Sequence, residues 1–509
     1  MCSIAGIYWF GPNCPKSETL LKMTTNALEL LKNRGPDESS IVQVNGHCVM
    51  GGNRLIIRGA NGMGSMPFKY DKDFLFYNGE IYNFQKWDKK ACSDGEILLP
   101  LFRNLGVNTF SKLDGEFAIS IWDNSNETLL LARDPFGTKP TYFSINDKRL
   151  LWASSASAIN AMERHDLCAA VKGPVYHCTY SVQEPYTSYD GIWLLPPGHF
   201  LVANKFGIKL LCYNLWGEYL PNSKNIEKLF LALKSSIKSR VDYTGTIGIS
   251  MSGGIDSGII AFIADKLKVK YHIFSVIEMF GKKTEETDAI VKRVEKLRNA
   301  SGISLLKCNE EHYQKALDDI YLPNYYDSEK FDTANVSTYV LFAAMKKQKI
   351  KVAIDGTGGD ELFHGYKFRD QFKPIDGWPK PWKNNNFFYS LFTTLLDYTA
   401  KADRAGAFFS IETRFPYQSL GVMKEALKLR YSDTLKWPLR KILLEYFDYG
   451  EPTDIDLNKK IGFELKNKDT SEMLLDMQRA WCKANGLKSL PTNPPKKFPF
   501  KMGVKYNKI

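Results

Sequence analysis

The residues with chemistry to offer begin at the second position. Cys2 follows an initiator methionine, which is readily removed ahead of a small side chain, and removal leaves Cys2 with a free α-amino group. That amine titrates at about 7.7–8.0 and the thiol at about 8.5, so the amine can act as the thiol's own general base near neutral pH. A cysteine at position 2, taken alone, is usually incidental. A second group stands in Ser252-Gly253-Gly254-Ile255-Asp256-Ser257. Two glycines permit a tight turn whose N–H groups, with the following helix N-terminus, hold a pyrophosphate, and Ser252 and Ser257 add hydroxyl donors. Asp256 is a poor phosphate neighbour unless Mg²⁺ stands between them, so its presence implies that ion. A Walker loop would require Gly-Lys-Ser or Gly-Lys-Thr, which this segment lacks. The plain alternative is a Gly-Gly turn capped by serine.

The elements that must position these residues differ between the two halves of the chain. The first half reads as short apolar strands punctuated by Gly, Pro, Asn and Asp: Cys48-Val49-Met50, Phe74-Leu75-Phe76-Tyr77, Ala118-Ile119-Ser120-Ile121-Trp122, Leu129-Leu130-Leu131 and Tyr142-Phe143-Ser144-Ile145. Such a run predicts stacked sheets, with helical spacing at 19–31 and 96–102, an α+β unit dominated by antiparallel sheet. A linker is expected near 213–224, marked by Pro221-Asn222-Ser223. Beyond it, helices over 226–240, 257–267, 287–298 and 338–347 alternate with strands over 246–250, 272–276 and 352–355. That alternation predicts an α/β unit with a parallel sheet wrapped by helices. The division falls into residues 2–212 and 213–509. The stretch 376–386 reads as a Pro/Trp/Asn-rich loop.

At 509 residues, two or three domains are expected. The composition, 44% hydrophobic and 24% charged, is that of an ordinary globular protein. No apolar run approaches the roughly 20 residues of a membrane helix, and the apolar start lacks a basic leader, so no membrane partner and a cytoplasmic location are expected. Nine cysteines without a Cys-x-x-Cys pair point to reduced thiols and away from zinc. The net charge of +12 is spread along the chain and not bunched into blocks, which argues against nucleic acid and suits a site for ATP and pyrophosphate.

Cys2 has company. Downstream come Arg34-Gly35-Pro36-Asp37, Asn53-Arg54-Leu55, Tyr77-Asn78-Gly79-Glu80-Ile81-Tyr82-Asn83, Ser93-Asp94-Gly95-Glu96 and Arg133-Asp134-Pro135-Phe136-Gly137-Thr138-Lys139-Pro140. This ordered set resembles class II glutamine amidotransferases of the Ntn type. The resemblance implies that the Asn78 side chain and the Gly79 N–H stabilise the oxyanion formed on glutamine's amide. It implies that Arg54 pairs with the glutamine carboxylate, and that Asp94, with Glu80 nearby, takes its ammonium. Read without the family, Asn78-Gly79 is a hairpin turn, Asp94 a helix cap and Arg54 a surface arginine. In the second half, 252–257 is similar to the ATP-pyrophosphatase loop. The stretch Asp355-Gly356-Thr357-Gly358-Gly359-Asp360-Glu361 resembles the second signature of asparagine synthetases.

That resemblance implies ATP and Mg²⁺, with Asp256 and Asp360 as metal ligands. Met251 and Val276 would line the adenine pocket, Asp355 and Gly356 would touch the nucleotide, and Lys460 would stabilise the charged intermediate. It implies glutamine, ATP and a carboxylic acid, aspartate in the type reaction, as substrates, giving an amide, AMP and pyrophosphate, and it suggests a homodimer. Three positions depart from the pattern: Thr357 replaces a glutamate associated with forming the adenylate, Asp332 stands where an arginine is usual, and Ser419 replaces an aspartate. Three readings therefore stay open: asparagine formation, amidation of a different carboxylic acid such as a sugar acid, or a working glutaminase beside a catalytically silent synthetase half that serves as a binding module. The last 45 residues, rich in Lys and Pro, carry no usable motif.

Overall fold

A computed structural model describes residues 1–58, 62–169, 184–213, 223–284, 286–325, 332–363, 365, 394–429, 436–447 and 470–500. The expected linker lies largely outside these residues, as does the loop at 376–386.

The front half is a helix–sheet–sheet–helix sandwich. One six-stranded sheet runs, across its width, Trp193–Leu194, Tyr142–Ile145, Arg149–Ala153, Ser3–Trp9, Cys48–Arg54 and Glu38–Asn45. The other runs Gly207–Cys212, His199–Asn204, Thr128–Arg133, Gly115–Asp123, Asp73–Ile81 and Phe68–Tyr70. Pairing is antiparallel throughout. Ile4, Met50, Phe76, Trp122, Leu131, Phe143 and Trp152 interdigitate between the sheets. The helices Ser17–Leu30 and Ala156–Met162 cover the outer face of the first sheet, and Leu98–Leu105 covers that of the second. Both faces of the central strands are therefore shielded from water, which is why Gly115–Asp123 is buried along its whole length and does not alternate.

In the back half, Tyr271–Met279, Ile247–Ser250, Val352–Ile354 and Glu412–Arg414 form a parallel run, joined by Ala300–Cys308 beside Tyr271–Met279. Among the described residues of this half only the short Lys282–Lys283 pairs antiparallel. One face is covered by Glu227–Arg240, Ile255–Lys266, Leu420–Lys428 and Trp437–Tyr446, the other by Glu310–Ile320, Ala334–Lys347 and Thr470–Ala484. Sequence reading did not identify the strand Ala300–Cys308 or the helix after it, and it extended the helix Thr287–Val294 to residue 298. Ser301, Gly302 and Ser304 blunt the strand's hydrophobic period. The following helix declares itself through Asn309, whose side chain caps the His312 N–H. The last described residues cross back to the front half: Phe498 and Phe500 pack on Phe143, and Lys496 pairs with Asp190 at 3.3 Å. Among the described residues no helix is long and apolar enough to cross a membrane.

Candidate active sites

The strand Ser3–Trp9 delivers Cys2 to the rim of the sandwich, where its half-buried thiol points at the Leu55 carbonyl, 3.9 Å away. Burial pushes that thiol's pKa up. Ahead of it Met1 is buried, its Sδ 3.8 Å from Arg34 Nη2 and 3.6 Å from Lys139 Nζ. Burial holds the Met1 amine down at about 5. With Met1 in place the α-amine belongs to Met1; excision moves it onto Cys2 itself.

Asn78 and Gly79 lie mid-strand in Asp73–Ile81, so the Asn-Gly pair is not a hairpin turn. A Cβ at residue 79 would sit 2.0 Å from the Glu116 carbonyl oxygen of the neighbouring strand, and φ is +156°, so only glycine fits. Asn78 is fully buried, and neither its Oδ1 nor its Nδ2 has a hydrogen-bond partner among the described residues. A buried amide with both atoms unpaired is costly; Asn335 shares the feature, and what sets Asn78 apart is its place beside Gly79, Glu80 and Tyr77 on one strand. Asp94 accepts from the Ile81 N–H at 2.7 Å and from the Tyr77 hydroxyl. Burial pushes the Tyr77 hydroxyl's pKa up, and the charges of Asp94, Glu80 and Cys2 push the same way, which places all four groups in one neighbourhood. Glu80 is ion-paired twice, through Oε1 to Arg58 Nε at 2.7 Å and through Oε2 to Arg414 Nη2 at 3.2 Å. Arg54 holds its own turn: it pairs with Glu38 at 3.0 Å and donates to the carbonyls of Arg58 and Met63.

The second site is built at the end of strand Ile247–Ser250. The turn that follows is tied by its own hydroxyls, with Ser252 Oγ 3.1 Å from Ser257 Oγ and accepting from the Gly254 N–H. The Gly253 N–H donates to the Glu286 carboxylate at 3.1 Å, while Arg293 donates to the Gly253 carbonyl. Burial pushes Glu286 up to about 7. Gly359 lets the Asp256 carboxylate come in close, since a Cβ there would be 2.4 Å from its Cγ. Asp256 and Asp360 converge on one cation, Lys436 Nζ, at 2.5 and 2.8 Å. Two carboxylates meeting at one cationic point are a donor set that would suit a hard divalent cation such as Mg²⁺.

Gly356 abuts the backbone of Ser257, and Thr357 Oγ1 donates to Asp355 Oδ1 at 2.6 Å. Met251 lies just past the strand Ile247–Ser250 and Val276 within the neighbouring strand Tyr271–Met279, and their side chains fall in the two separate cores on opposite faces of the sheet. Lys460 lies outside the described residues. Two of the departures have local structural roles: Asp332 pairs with Lys401 at 3.2 Å and caps the Ala334 N–H, and Ser419 accepts from the Gly421 N–H to start a helix. Sequence reasoning did not single out Tyr77, Arg58, Glu286 or Lys436. Nor did it give Arg414 or Tyr417 a role.

Residues 1–214 match the glutamine amidotransferase domain family, and residues 228–389 match the asparagine synthase family. Asparagine synthetase (glutamine-hydrolyzing) 1 of Bacillus subtilis is 27% identical over 400 residues, which is 74% of this chain and 61% of that protein. The chain joins a glutamine amidotransferase domain to an asparagine synthase domain and is similar to glutamine-hydrolysing asparagine synthetases. The two matches fall one on each sheet system. Amidase chry2 of Gibberella zeae is also similar, at 25% identity over 401 residues, 69% of this chain and 57% of that protein. Where the matched relatives reach further, the chain spans about six-tenths of their length.

Proposed function

We propose that the chain, divided at residues 212 and 213, is a glutamine-dependent, ATP-consuming amide synthetase acting on aspartate. After loss of Met1, the α-amine of Cys2 takes the thiol proton and the thiolate attacks glutamine's side-chain amide. The Asn78 Nδ2–H and the Gly79 N–H receive the developing oxyanion. Arg54 takes the glutamine carboxylate, and Glu80 with Asp94 takes its ammonium. Collapse of the tetrahedral species expels ammonia, and water releases glutamate from the resulting thioester.

In the other half, Ser252, Gly253, Gly254 and Ser257 cradle the ATP phosphates, with Asp355 and Gly356 at the nucleotide and Met251 and Val276 toward the base. Asp256 and Asp360 hold Mg²⁺, which when bound screens the phosphate charge. The acid's carboxylate attacks the α-phosphorus and pyrophosphate leaves. Ammonia, kept from water inside the protein, displaces AMP from the acyl-adenylate, with Lys460 stabilising the charge. We place the enzyme in the cytoplasm, from the want of a membrane-length apolar run or basic leader in its sequence, and as a homodimer, from its family resemblance.

The observation that carries this reading is the buried Asn78 amide with both polar atoms unpartnered, a place kept for a ligand's charge. A second reading, amidation of another carboxylic acid, is favoured by Thr357, whose hydroxyl is spent on Asp355 where a free carboxylate is expected. The named similarity to an amidase agrees with it. Pyrophosphate release with ammonium, ATP and Mg²⁺ separates the readings. Signal with aspartate supports the first, and silence with aspartate but signal with another acid supports the second. Silence with every acid, while glutamine is still hydrolysed, leaves a glutaminase with a silent partner half.

A further inference from the structure

Residues 412–418 touch both sites. On the glutamine side, the fully buried Arg414 pairs with Glu80 at 3.2 Å and with Glu412 at 2.7 Å, and donates to the Arg240 carbonyl at 2.8 Å. The Phe415 N–H donates to Glu116 Oε1 at 2.9 Å, the same oxygen that Arg240 grips at 3.1 Å. On the nucleotide side, the Arg414 carbonyl accepts from the Asp355 N–H at 3.0 Å, and Asp355 in turn fixes Thr357. Three residues on, the Tyr417 hydroxyl donates to the Asp256 carbonyl at 2.9 Å, in the first turn of the helix that follows the phosphate loop. Ser236 anchors the segment between them by donating to the Pro416 carbonyl at 2.6 Å.

We propose that Arg414 is a positioning residue through which nucleotide binding and glutamine binding influence one another, with 412–418 as the connection. This rests on the glutaminase and synthetase roles given above. A glutamine ammonium arriving at Glu80 competes with Arg414 for the same carboxylate. A guanidinium held in a dry interface by Glu80, Glu412 and a carbonyl cannot give up one partner without shifting toward the others. Its own carbonyl carries that shift to Asp355, and Tyr417 carries it to Asp256. The reverse holds too: phosphates drawing on Asp256 and the loop displace Tyr417 and Arg414 and change what Glu80 offers to glutamine. Such coupling is reciprocal and commonly amounts to about 5–150-fold in affinity. Spatial continuity alone does not establish it, so the test must read the coupling itself.

The experiment measures glutamate formation by the full chain and extracts KM for glutamine with Mg²⁺ alone and with Mg²⁺ plus α,β-methylene-ATP, which resists cleavage between the α and β phosphates. In the parent chain the nucleotide shifts KM by about fivefold or more. In Arg414→Gln the ratio of the two KM values falls to within about twofold of unity, and Arg414→Lys, which keeps the charge on Glu80, restores part of it. A general loss of structure would lower kcat without erasing that ratio. The proposal is overturned if the parent shows no shift, or if Arg414→Gln retains the parent's ratio. Where Arg414→Gln does not fold, Tyr417→Phe, which fills the same space, takes its place with the same two outcomes. A parent chain that makes no glutamate at all defeats the proposed function, not the coupling.

Discussion

Lys436 Nζ lies 2.5 Å from the Asp256 carboxylate across 180 residues of sequence, and Asp360 meets the same nitrogen from the opposite signature. Burial opposes the lysine's charge, but the two aspartates more than offset that and hold its pKa above the ordinary value. The ammonium keeps two largely shielded acids together at the point a divalent ion would take.

Replacing Lys436 with Met removes that cation and leaves two partly buried like charges facing each other. Breaking a buried pair costs about 3–5 kcal/mol, so the unfolding midpoint in urea should drop. Added MgCl₂ should recover stability in Lys436→Met more strongly than in the parent. A variant whose melting temperature ignores Mg²⁺ would remove Asp256 and Asp360 from the metal site.

Asn78 offers the opposite split between stability and rate. Asn78→Leu keeps the volume and deletes two unpaired buried polar atoms, so stability should hold or rise by about 1 kcal/mol. Loss of an oxyanion donor should lower glutaminase kcat by about 10²–10³-fold. Near-parental turnover in a stable Asn78→Leu protein would show that the amide is not a catalytic donor.

Glu286 predicts a pH dependence of nucleotide binding. Its pKa of about 7 is set first by burial, with the Gly253 N–H, Arg293 and Lys436 pulling it back down. Polyphosphate beside Gly253 favours the protonated acid, so binding takes up a proton and weakens as pH rises through 7. Between pH 6 and 8 this group should weaken affinity by up to about tenfold. Titration of Glu286→Gln by calorimetry isolates the effect: the pH slope should be shallower than in the parent, and equal slopes would clear Glu286 of the role.

The motifs and their order were legible because each is local. Ser252 to Ser257 follows a strand and opens a helix, and Phe74 to Tyr77 reads as an apolar strand that runs into the polar motif Asn78-Gly79-Glu80. Asn78-Gly79 was ambiguous because a hairpin and a mid-strand glycine look alike in one dimension; only the Glu116 carbonyl beside it decides. Partners distant in sequence left no trace there. Nothing around Arg414 announces Glu80, and Lys436 reads as one lysine among many. The return of Phe498 and Phe500 to Phe143 was likewise invisible, since two aromatics in a Lys/Pro-rich tail have no period. Thr357 was legible as a departure, and the structure adds what its hydroxyl does instead.

The central claim is that Cys2 supplies the nitrogen and a separate site uses it. The direct measurement is Cys2→Ala assayed twice, for glutamate from glutamine and for ammonium-supported pyrophosphate release with whichever acid the parent accepts. The account predicts that glutamate formation disappears and ammonium-supported pyrophosphate release persists near the parental rate. Glutamate still produced by Cys2→Ala, or both activities lost from a folded protein, would contradict it.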